Sequence, residues 1–437
     1  MITMKFSQSD NGLKIVVFSL LLSELIRNLG MNFYSLSMPY YLASDKMAGS
    51  VADSPILIGI AIGVFGLVQA STQIPLGRLS DRIGRRWILI VSGFVYAFGA
   101  LMVGLAQNIY QFILFRAIQA TGAVVSVIQA CLGDIFPSER RGTAMAWFST
   151  VYMVGTLVGI PVGGIVADVY GLTLPFYIAS ALGFAAATVL LAFLRETLPS
   201  KCVSISISMA PPVGPPLKGG IRTETSNSSA DKVRKESDAI RDHPDLRFSR
   251  VKGFLATCLI SMTTSYAMGS FFAFAPILLL SELGLSLGQS LVYFIPGIVI
   301  FFVGAMSSGV WSDRRGRRGP ILVGIVFAIP WFVLVPFISN SLLPPVIILG
   351  LLGVAVAETP LPALIMDMVP KEARGNASGF LNSLTVLGYS IGSIAAGFIV
   401  FLFGEGIMFA FSGVLLAISL PVGLIQLPRG RVTASSQ

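Results

Sequence analysis

The chain of 437 residues is too apolar and too sparsely charged for a soluble protein. Hydrophobic residues make up 54% of it and charged residues 12%, with a mean hydropathy of +0.81. A soluble domain could not cover that apolar surface with so few charges, which excludes an ordinary soluble enzyme and a disordered chain. The net charge of +9 would suggest nucleic acid in a soluble protein. In a membrane protein it fits basic loops on one side, and we expect no nucleic-acid partner.

Polar and turn-forming breaks divide the sequence into twelve candidate membrane spans, numbered here in chain order. Spans 1 to 12 cover residues 13–38, 55–76, 87–106, 109–132, 143–168, 172–194, 252–280, 287–309, 319–339, 343–366, 377–402 and 405–426. The sequence therefore predicts an all-α membrane protein with six-helix bundles at 1–194 and 251–437. The stretch 195–250, rich in Pro, Ser and charged residues, is predicted to be a flexible cytoplasmic linker between them.

The basic residues are unevenly distributed between the predicted loops. With both termini in the cytoplasm, 27 of the 30 Lys and Arg residues fall in cytoplasmic segments and only Lys46 falls outside. The remaining two, Arg27 and Arg116, fall inside spans. This asymmetry follows the positive-inside rule. We expect a multi-pass protein of the plasma membrane with both termini, including a short C-terminal tail, in the cytoplasm.

The sequence contains few residues of the kinds that bind metals or carry out redox chemistry. The three cysteines are far apart, and the single histidine, His243, lies in a polar stretch. These residues show no metal-ligand or redox spacing. We expect no metal and no cofactor.

The two halves of the chain contain an internal repeat. GRLSDRIGRR at 77–86 matches GVWSDRRGRR at 309–318, and DIFPSERRGTA at 134–144 matches DMVPKEARGNA at 367–377. The offset of the second block also pairs glycines: Gly155 with Gly388, Gly159 with Gly392 and Gly164 with Gly397. Repeated bundles are typical of secondary transporters, in which one half moves against the other around a central site.

In these motifs the sequence resembles the major facilitator superfamily, and within it the twelve-helix drug:proton antiporters. The family pattern G-x-L-a-D-r-x-G-r-r is matched at 77–86 and, with Trp311 in place of Leu, at 309–318. The resemblance covers nearly all of the chain except the linker and tails. It implies two pseudo-symmetric six-helix bundles in a lipid bilayer, a monomer, and a transporter of small molecules rather than an enzyme.

The resemblance assigns the loop motifs to a cytoplasmic gate. Asp81 would contact the start of span 11 near Gly375 and Asn376, and Asp313 would face the start of span 5, which would close this side in the outward-open state. The alternative is a basic loop that only sets the topology. The candidate gate residues are Gly77, Asp81, Arg82, Gly84, Arg85, Asp134, Asp313, Arg314 and Arg317.

Spans 4 and 5 carry two further family motifs. FRAIQATGA in span 4 contains Arg116, which the resemblance makes a cavity residue that affects proton coupling; the alternative is a structural tie between spans 1 and 4. GTLVGIPVGG at 155–164 resembles an antiporter signature, with Ile160 where the family has Pro, although close helix packing would explain the same glycines. Its helix-bending residues would be Gly155, Gly159, Pro161, Gly163 and Gly164.

Only four charged residues lie well inside the spans: Glu24, Arg27, Arg116 and Glu358. Burial favours the uncharged form of a carboxylic acid, so both glutamates are candidate proton carriers. Glu24 could instead form a permanent ion pair with Arg27, three residues away, and Glu358 could bind substrate. In the family, spans 1, 4, 7 and 10 line the cavity. The candidate cavity residues on these spans are Asn28, Asn32, Gln119, Thr264, Ser265, Tyr266 and Phe271.

The leading functional hypothesis is an exporter of small amphipathic compounds that exchanges them for protons, with the proton gradient as energy source. The alternative is an organic-anion or metabolite carrier, for uptake or exchange, in which Arg27 and Arg116 bind a carboxylate or phosphate. A non-transporting membrane sensor and an intramembrane enzyme are the remaining classes. The enzyme lacks any recognisable nucleophile constellation.

Overall fold

The computed structural model describes residues 11–44, 47, 55–136, 141–197, 253–338, 342–369 and 374–428. Over these ranges the regular structure is α-helical, apart from one 3-10 helix at Val335–Phe337, and contains no strand. The predicted linker lies almost entirely outside the described residues, as does the C-terminal tail.

In the described part of the first half, eight helices with defined bounds account for spans 1 to 6. They are α1 (Asn11–Phe33), α2 (Ser37–Leu42), α3 (Pro55–Ile83), α4 (Arg85–Leu105), α5 (Ile109–Thr121), α6 (Val125–Ile135), α7 (Arg141–Tyr170) and α8 (Leu174–Phe193). The short α2 follows span 1, and α5 and α6 share span 4. The span is broken at residues 122–124, where the amide of Gln69 on α3 donates to the freed carbonyl of Ala123 at 3.1 Å.

Over the described residues of the second half, seven α-helices account for spans 7 to 12. They are α9 (Phe254–Leu283), α10 (Leu287–Arg315), α11 (Arg318–Leu334), α12 (Leu343–Glu358), α13 (Leu361–Met368), α14 (Arg374–Phe403) and α15 (Glu405–Gln426). Span 10 is divided into α12 and α13 after Glu358. Pro360 marks this break, because proline lacks the N–H that would continue the helix.

The helices have the length and composition of membrane spans. In the described part of the chain, eleven helices or helix pairs are long and apolar enough to cross a bilayer. α1 is the twelfth; its 23 residues reach about 34 Å, against an apolar membrane core of about 30 Å. The predicted twelve-helix all-α fold is thereby confirmed.

The glycines of the repeat make equivalent contacts in the two halves. A Cβ on Gly155 of α7 would lie 2.8 Å from the amide nitrogen of Asn28 on α1. A Cβ on Gly388 of α14 would lie 2.6 Å from the carbonyl oxygen of Met262 on α9. Glycine therefore lets α7 pack closely on α1, and α14 closely on α9. The glycines that repeat in the sequence therefore make the same kind of close helix contact in both halves.

The two halves touch at one end of α3 and α14 and separate at the other. A Cβ on Gly59 or Gly63 would lie 2.5 Å from Ser393 O or 2.7 Å from Ser390 O, respectively. Further along the same two helices, a Cβ on Gly77 or Gly379 would have no atom within 4 Å. We call the first end the closed end. The other, which carries the loops 77–86 and 309–318, is the loop end.

Two more contacts between the halves lie at the closed end, both on the first turns of α10. The hydroxyl groups of Tyr40 on α2 and Ser290 on α10 are 2.6 Å apart and share a hydrogen bond. The carboxylate of Asp168, in the last turn of α7, lies directly against Gly288. This position suits an acid, since the start of a helix carries partial positive charge.

Candidate functional site

A cavity of about 500 Å³ lies between the two halves. Its wall is formed by α1, α3, α5 and α7 of the first half and α9, α10, α12 and α14 of the second. Most of the wall is apolar, with an aromatic share that includes Phe65, Phe271, Phe272, Phe294, Phe301 and Phe302. Two ionisable side chains of opposite charge line it, Arg116 and Glu358.

Arg116 reaches the cavity from α5 and is only 4% exposed. Its Nη1 donates to the hydroxyl of Tyr34 at 2.6 Å and to the side-chain oxygen of Gln119 at 2.7 Å. Its guanidinium carbon lies 4.4 Å from the ring centre of Phe65 and 5.0 Å from that of Tyr34, so both rings stabilise the cation. The Nε donates to no protein acceptor. Within the described ranges, no carboxylate lies within 4.0 Å of this guanidinium.

Glu358 reaches the cavity from the last turn of α12, just before the break in span 10. Its carboxylate accepts a hydrogen bond from the hydroxyl of Ser265 on α9 at 3.2 Å. Among the described residues, no Lys, Arg or His lies within 4.0 Å of it. The site therefore holds a carboxyl group without a fixed counter-ion.

Glu24 and Arg27 form a pair with each other, away from the main cavity. Nε and Nη2 of Arg27 donate to the two carboxylate oxygens of Glu24 at 3.0 and 2.5 Å, a bidentate geometry. The pair borders a separate cavity of about 20 Å³ between α1 and α4, where the guanidinium lies 5.6 Å from the ring centre of Tyr96. Of the two alternatives that the sequence leaves open for Glu24, this geometry favours the ion pair.

The structure brings some of the predicted cavity residues into the wall and places others behind it. Asn32, Ser265 and Phe271 line the cavity together with Arg116 and Glu358. Asn28, Gln119, Thr264 and Tyr266 do not.

The residues outside the wall have structural contacts that account for their placement. The amide of Asn28 donates to the carbonyl of Tyr152 at 2.5 Å and so ties α1 to α7. Gln119 holds Arg116, as described above. Thr264 donates to its own helix at Ile260, 3.0 Å away, and the ring of Tyr266 packs against Phe411.

Several polar wall residues were missed because they lie on spans 2, 5, 8 and 11, outside the four spans of the family cavity. They include Gln69, Tyr152 and Tyr389. A usable signal was present in the sequence. Tyr152 precedes Gly155 by three residues and Tyr389 follows Gly388 directly, so both stand beside the repeated packing glycines in otherwise apolar segments.

The candidate gate loops have the same ion-pair arrangement in both halves. Arg85 binds Asp81 at 3.3 Å and Asp134 at 2.6 Å. Arg317 binds Asp313, and Asp367 at 3.1 Å. Arg85 therefore links its loop to the end of span 4, and Arg317 links its loop to the end of span 10, each within its own half. In each loop one carboxylate stays largely accessible, with Asp81 62% and Asp313 70% exposed at their side chains.

The loops turn at equivalent glycines. Gly84 and Gly316 have φ angles of +117° and +95°, which favour glycine, and a new helix begins directly after Gly84 and two residues after Gly316. Arg82 and Arg314 are exposed on these loops. The predicted contact of Asp81 falls on Gly375 and Asn376 at the start of α14, whose side chains lie outside the described part, and the predicted contact of Asp313 falls at the start of α7, where Thr143 is the first residue with a described side chain. They stay predictions.

Two similar bundles around a central cavity, closed at one end, define the class of this protein as a secondary transporter of the membrane. The chain belongs to the major facilitator superfamily. Residues 20–388 match the sequence model of a protein family whose description is Major Facilitator Superfamily. The resemblance found in the sequence is confirmed, and the chain is a multi-pass membrane transporter.

Comparison with individual proteins agrees with the family. The chain is 26% identical over 371 residues to the inner membrane transport protein YajR of Escherichia coli (strain K12), covering 82% of this chain and 72% of that protein. It is 35% identical over 139 residues to the multidrug resistance protein MdtG of Proteus mirabilis (strain HI4320), covering 32% and 35%. A bacterial homolog of the human lysosomal transporter Spinster, crystallised in an inward-facing and occupied conformation, shares the fold with a TM-score of 0.72. Their identity is 15%, over 94% of this chain and 96% of that one.

Proposed function

We propose that this protein exports small amphipathic compounds from the cell in exchange for protons, by alternating access. The observation that carries the proposal is the central cavity, whose aromatic wall contains a carboxyl group without a fixed counter-ion. Apolar walls with a few convergent polar groups are typical of sites for small amphipathic ligands. The name of MdtG, a multidrug resistance protein, supports export of this kind, although the similarity covers only a third of each chain.

Glu358 is the proton site in this proposal. A carboxylate that lacks a nearby cation in a mostly apolar cavity gains from binding a proton. Ser265 provides only one hydrogen bond, at 3.2 Å. Glu24 is the weaker candidate, because both of its oxygens are bound by Arg27.

The cavity opens to the cytoplasm in this structure if the loop end is the cytoplasmic side, as the distribution of basic residues predicts. The outward-open state then requires the contacts of the closed end to break, including those of α3 with α14 and of Tyr40 with Ser290. In exchange, the exposed carboxylates of Asp81 and Asp313 would reach the opposite half and close the loop end. The plasma membrane location and the cytoplasmic termini belong to this same proposal.

Transport in proteoliposomes tests the proposal. The protein is reconstituted, a pH gradient is imposed, and the flux of lipophilic cations, neutral drugs and organic anions is followed. We expect gradient-dependent flux of amphipathic cations or neutral compounds, abolished by a protonophore. If the flux of every transported compound is the same with and without the pH gradient, proton exchange is contradicted.

Arg116 supports a second candidate, the organic-anion carrier. This arginine lines the cavity without a carboxylate partner, so it could bind an anionic group. The sequence analysis also named Arg27 as an anion-binding residue. Arg27 is bound to Glu24, so this candidate function no longer includes it. Gradient-independent exchange of organic anions that is lost in Arg116→Gln would favour this candidate over the first.

A further inference from the structure

The two charges in the cavity wall have opposite signs and belong to opposite halves of the protein. Arg116 lies on α5 of the first half, and Glu358 ends α12 of the second. In the part of the chain that the structure describes, neither has an oppositely charged side chain within 4.0 Å. Both line the same cavity of about 500 Å³.

Each of these charges is only partly satisfied by the protein. Arg116 has hydrogen bonds on Nη1 and two aromatic neighbours, but Nε has no acceptor. Glu358 has the single bond from Ser265. A charge inside a membrane protein is costly unless it is paired or faces a polar cavity, so such residues mark ligand and ion sites. The Glu24–Arg27 pair differs in that each charge has an oppositely charged partner within hydrogen-bond distance, although Nη1 of Arg27 has no acceptor among the described residues.

The space that these two groups share is lined mainly by apolar side chains, several of them phenylalanines. Phe65 lies against Arg116, and Phe271 and Phe272 come from α9, the helix that also carries Ser265. A ligand that satisfies both charges must therefore have an apolar body as well. Pairing with one charge alone would leave the other unsatisfied.

We propose that the cavity recognises zwitterionic amphiphiles, with an anionic group bound by Arg116, a protonated amine bound by Glu358, and an apolar body packed against the phenylalanines. This inference rests on the proposed transport function and names the substrate class of the same site. The amine and the proton then use the same carboxylate in turn, as an exchange mechanism requires.

Three probes with the same apolar body test the inference. They are 4'-(aminomethyl)biphenyl-4-carboxylic acid, which is a zwitterion with separated charges, its methyl ester, which is a cation, and its N-acetyl derivative, which is an anion. Binding to the full-length protein in lipid nanodiscs is measured at pH 7 by equilibrium dialysis. Because a charge-assisted contact in a largely apolar site strengthens binding about tenfold or more, we expect the zwitterion to bind at least about tenfold tighter than either analogue.

Two variants assign each end of the ligand. In Arg116→Gln the zwitterion should bind no better than the methyl ester, and in Glu358→Gln no better than the N-acetyl derivative. Arg116→Lys retains the positive charge and should retain the preference for the zwitterion over the ester, which guards against poor folding of the Gln variant. Glu405→Gln is the matched control. Glu405 also accepts a hydrogen bond from a serine, Ser281, but does not line the cavity, so all three affinities should be unchanged.

Equal affinities of the three probes in the unaltered protein would overturn the inference. So would variants that weaken all three probes by the same factor, since that result indicates damage to the cavity and not loss of a charge contact. The assay does not depend on transport. Loss of selectivity with pH-driven flux intact would contradict only the substrate class, whereas selective binding without pH-driven flux would contradict the proposed exchange.

Discussion

The two halves of the protein can be compared position by position, because their packing glycines and loop charges correspond. Gly155 and Gly388 make equivalent helix contacts, and Arg85 and Arg317 sit between equivalent pairs of aspartates. The intramembrane charges do not correspond. Three of them, Glu24, Arg27 and Arg116, lie in the first half and only Glu358 in the second. Residues that repeat build the frame and its loops, whereas the two charges of the cavity wall, Arg116 and Glu358, have no charged counterpart at the equivalent position of the other half.

The comparison also separates two kinds of buried charge in the first half. Glu24 and Arg27 neutralise each other outside the cavity, and Arg116 faces the cavity with aromatic and amide neighbours. In the first arrangement each charge offsets the cost of burying the other. The second leaves a positive charge available to a ligand.

The largest change in stability is expected for Glu24→Gln. It leaves Arg27 as an unpaired buried charge, which costs about 3–5 kcal/mol. Thermal unfolding in nanodiscs should show a marked loss of melting temperature, and the double variant Glu24→Gln with Arg27→Gln should recover most of it. A stable single variant that has lost pH-driven flux would instead make Glu24 a proton carrier.

A smaller effect is expected at the packing glycines, where it tests how similar the halves are. Alanine at Gly155 would press on the side chain of Asn28, and alanine at Gly388 on the backbone of Met262. Overpacking costs about 1–3 kcal/mol. Because a backbone carbonyl yields less than a side chain, we expect the greater loss of melting temperature at Gly388. The same substitution at Gly379, which has no neighbour within 4 Å, is the control. A neutral result at both packing glycines would contradict the repeated packing.

The smallest effect is expected at the hydrogen bond that joins the halves at the closed end. Removing the hydroxyl in Tyr40→Phe or Ser290→Ala loses one hydrogen bond, about 0.5–1.5 kcal/mol. That free energy shifts the equilibrium towards the outward-open state about two- to tenfold. A single cysteine placed near the closed end should be labelled more in either variant, by the same factor of about two to ten. The double variant should show no more labelling than either single variant. Additive effects would show that the two hydroxyl groups act separately.

Much of the fold could be predicted from the sequence, because hydropathy and loop charge report directly on membrane spans. The breaks in spans 4 and 10 were not predicted. Hydropathy measures the composition of a segment and not the path of its backbone, although Pro360 was a signal for the second break.

The cavity was predicted only in part. Gln69, Tyr152 and Tyr389 reach it because α3, α7 and α14 meet the opposite half, and that is a property of tertiary packing.

The account rests most heavily on Glu358 as the group that couples proton and substrate. Its most direct test compares Glu358→Gln with Glu405→Gln and the unaltered protein in proteoliposomes, using a compound that shows pH-driven flux in the unaltered protein. Two rates are measured, flux driven by a pH gradient and exchange of labelled for unlabelled substrate without a gradient. We predict that Glu358→Gln loses gradient-driven flux to background and keeps exchange at a saturating substrate concentration, while Glu405→Gln keeps both. Normal gradient-driven flux in Glu358→Gln would contradict the account.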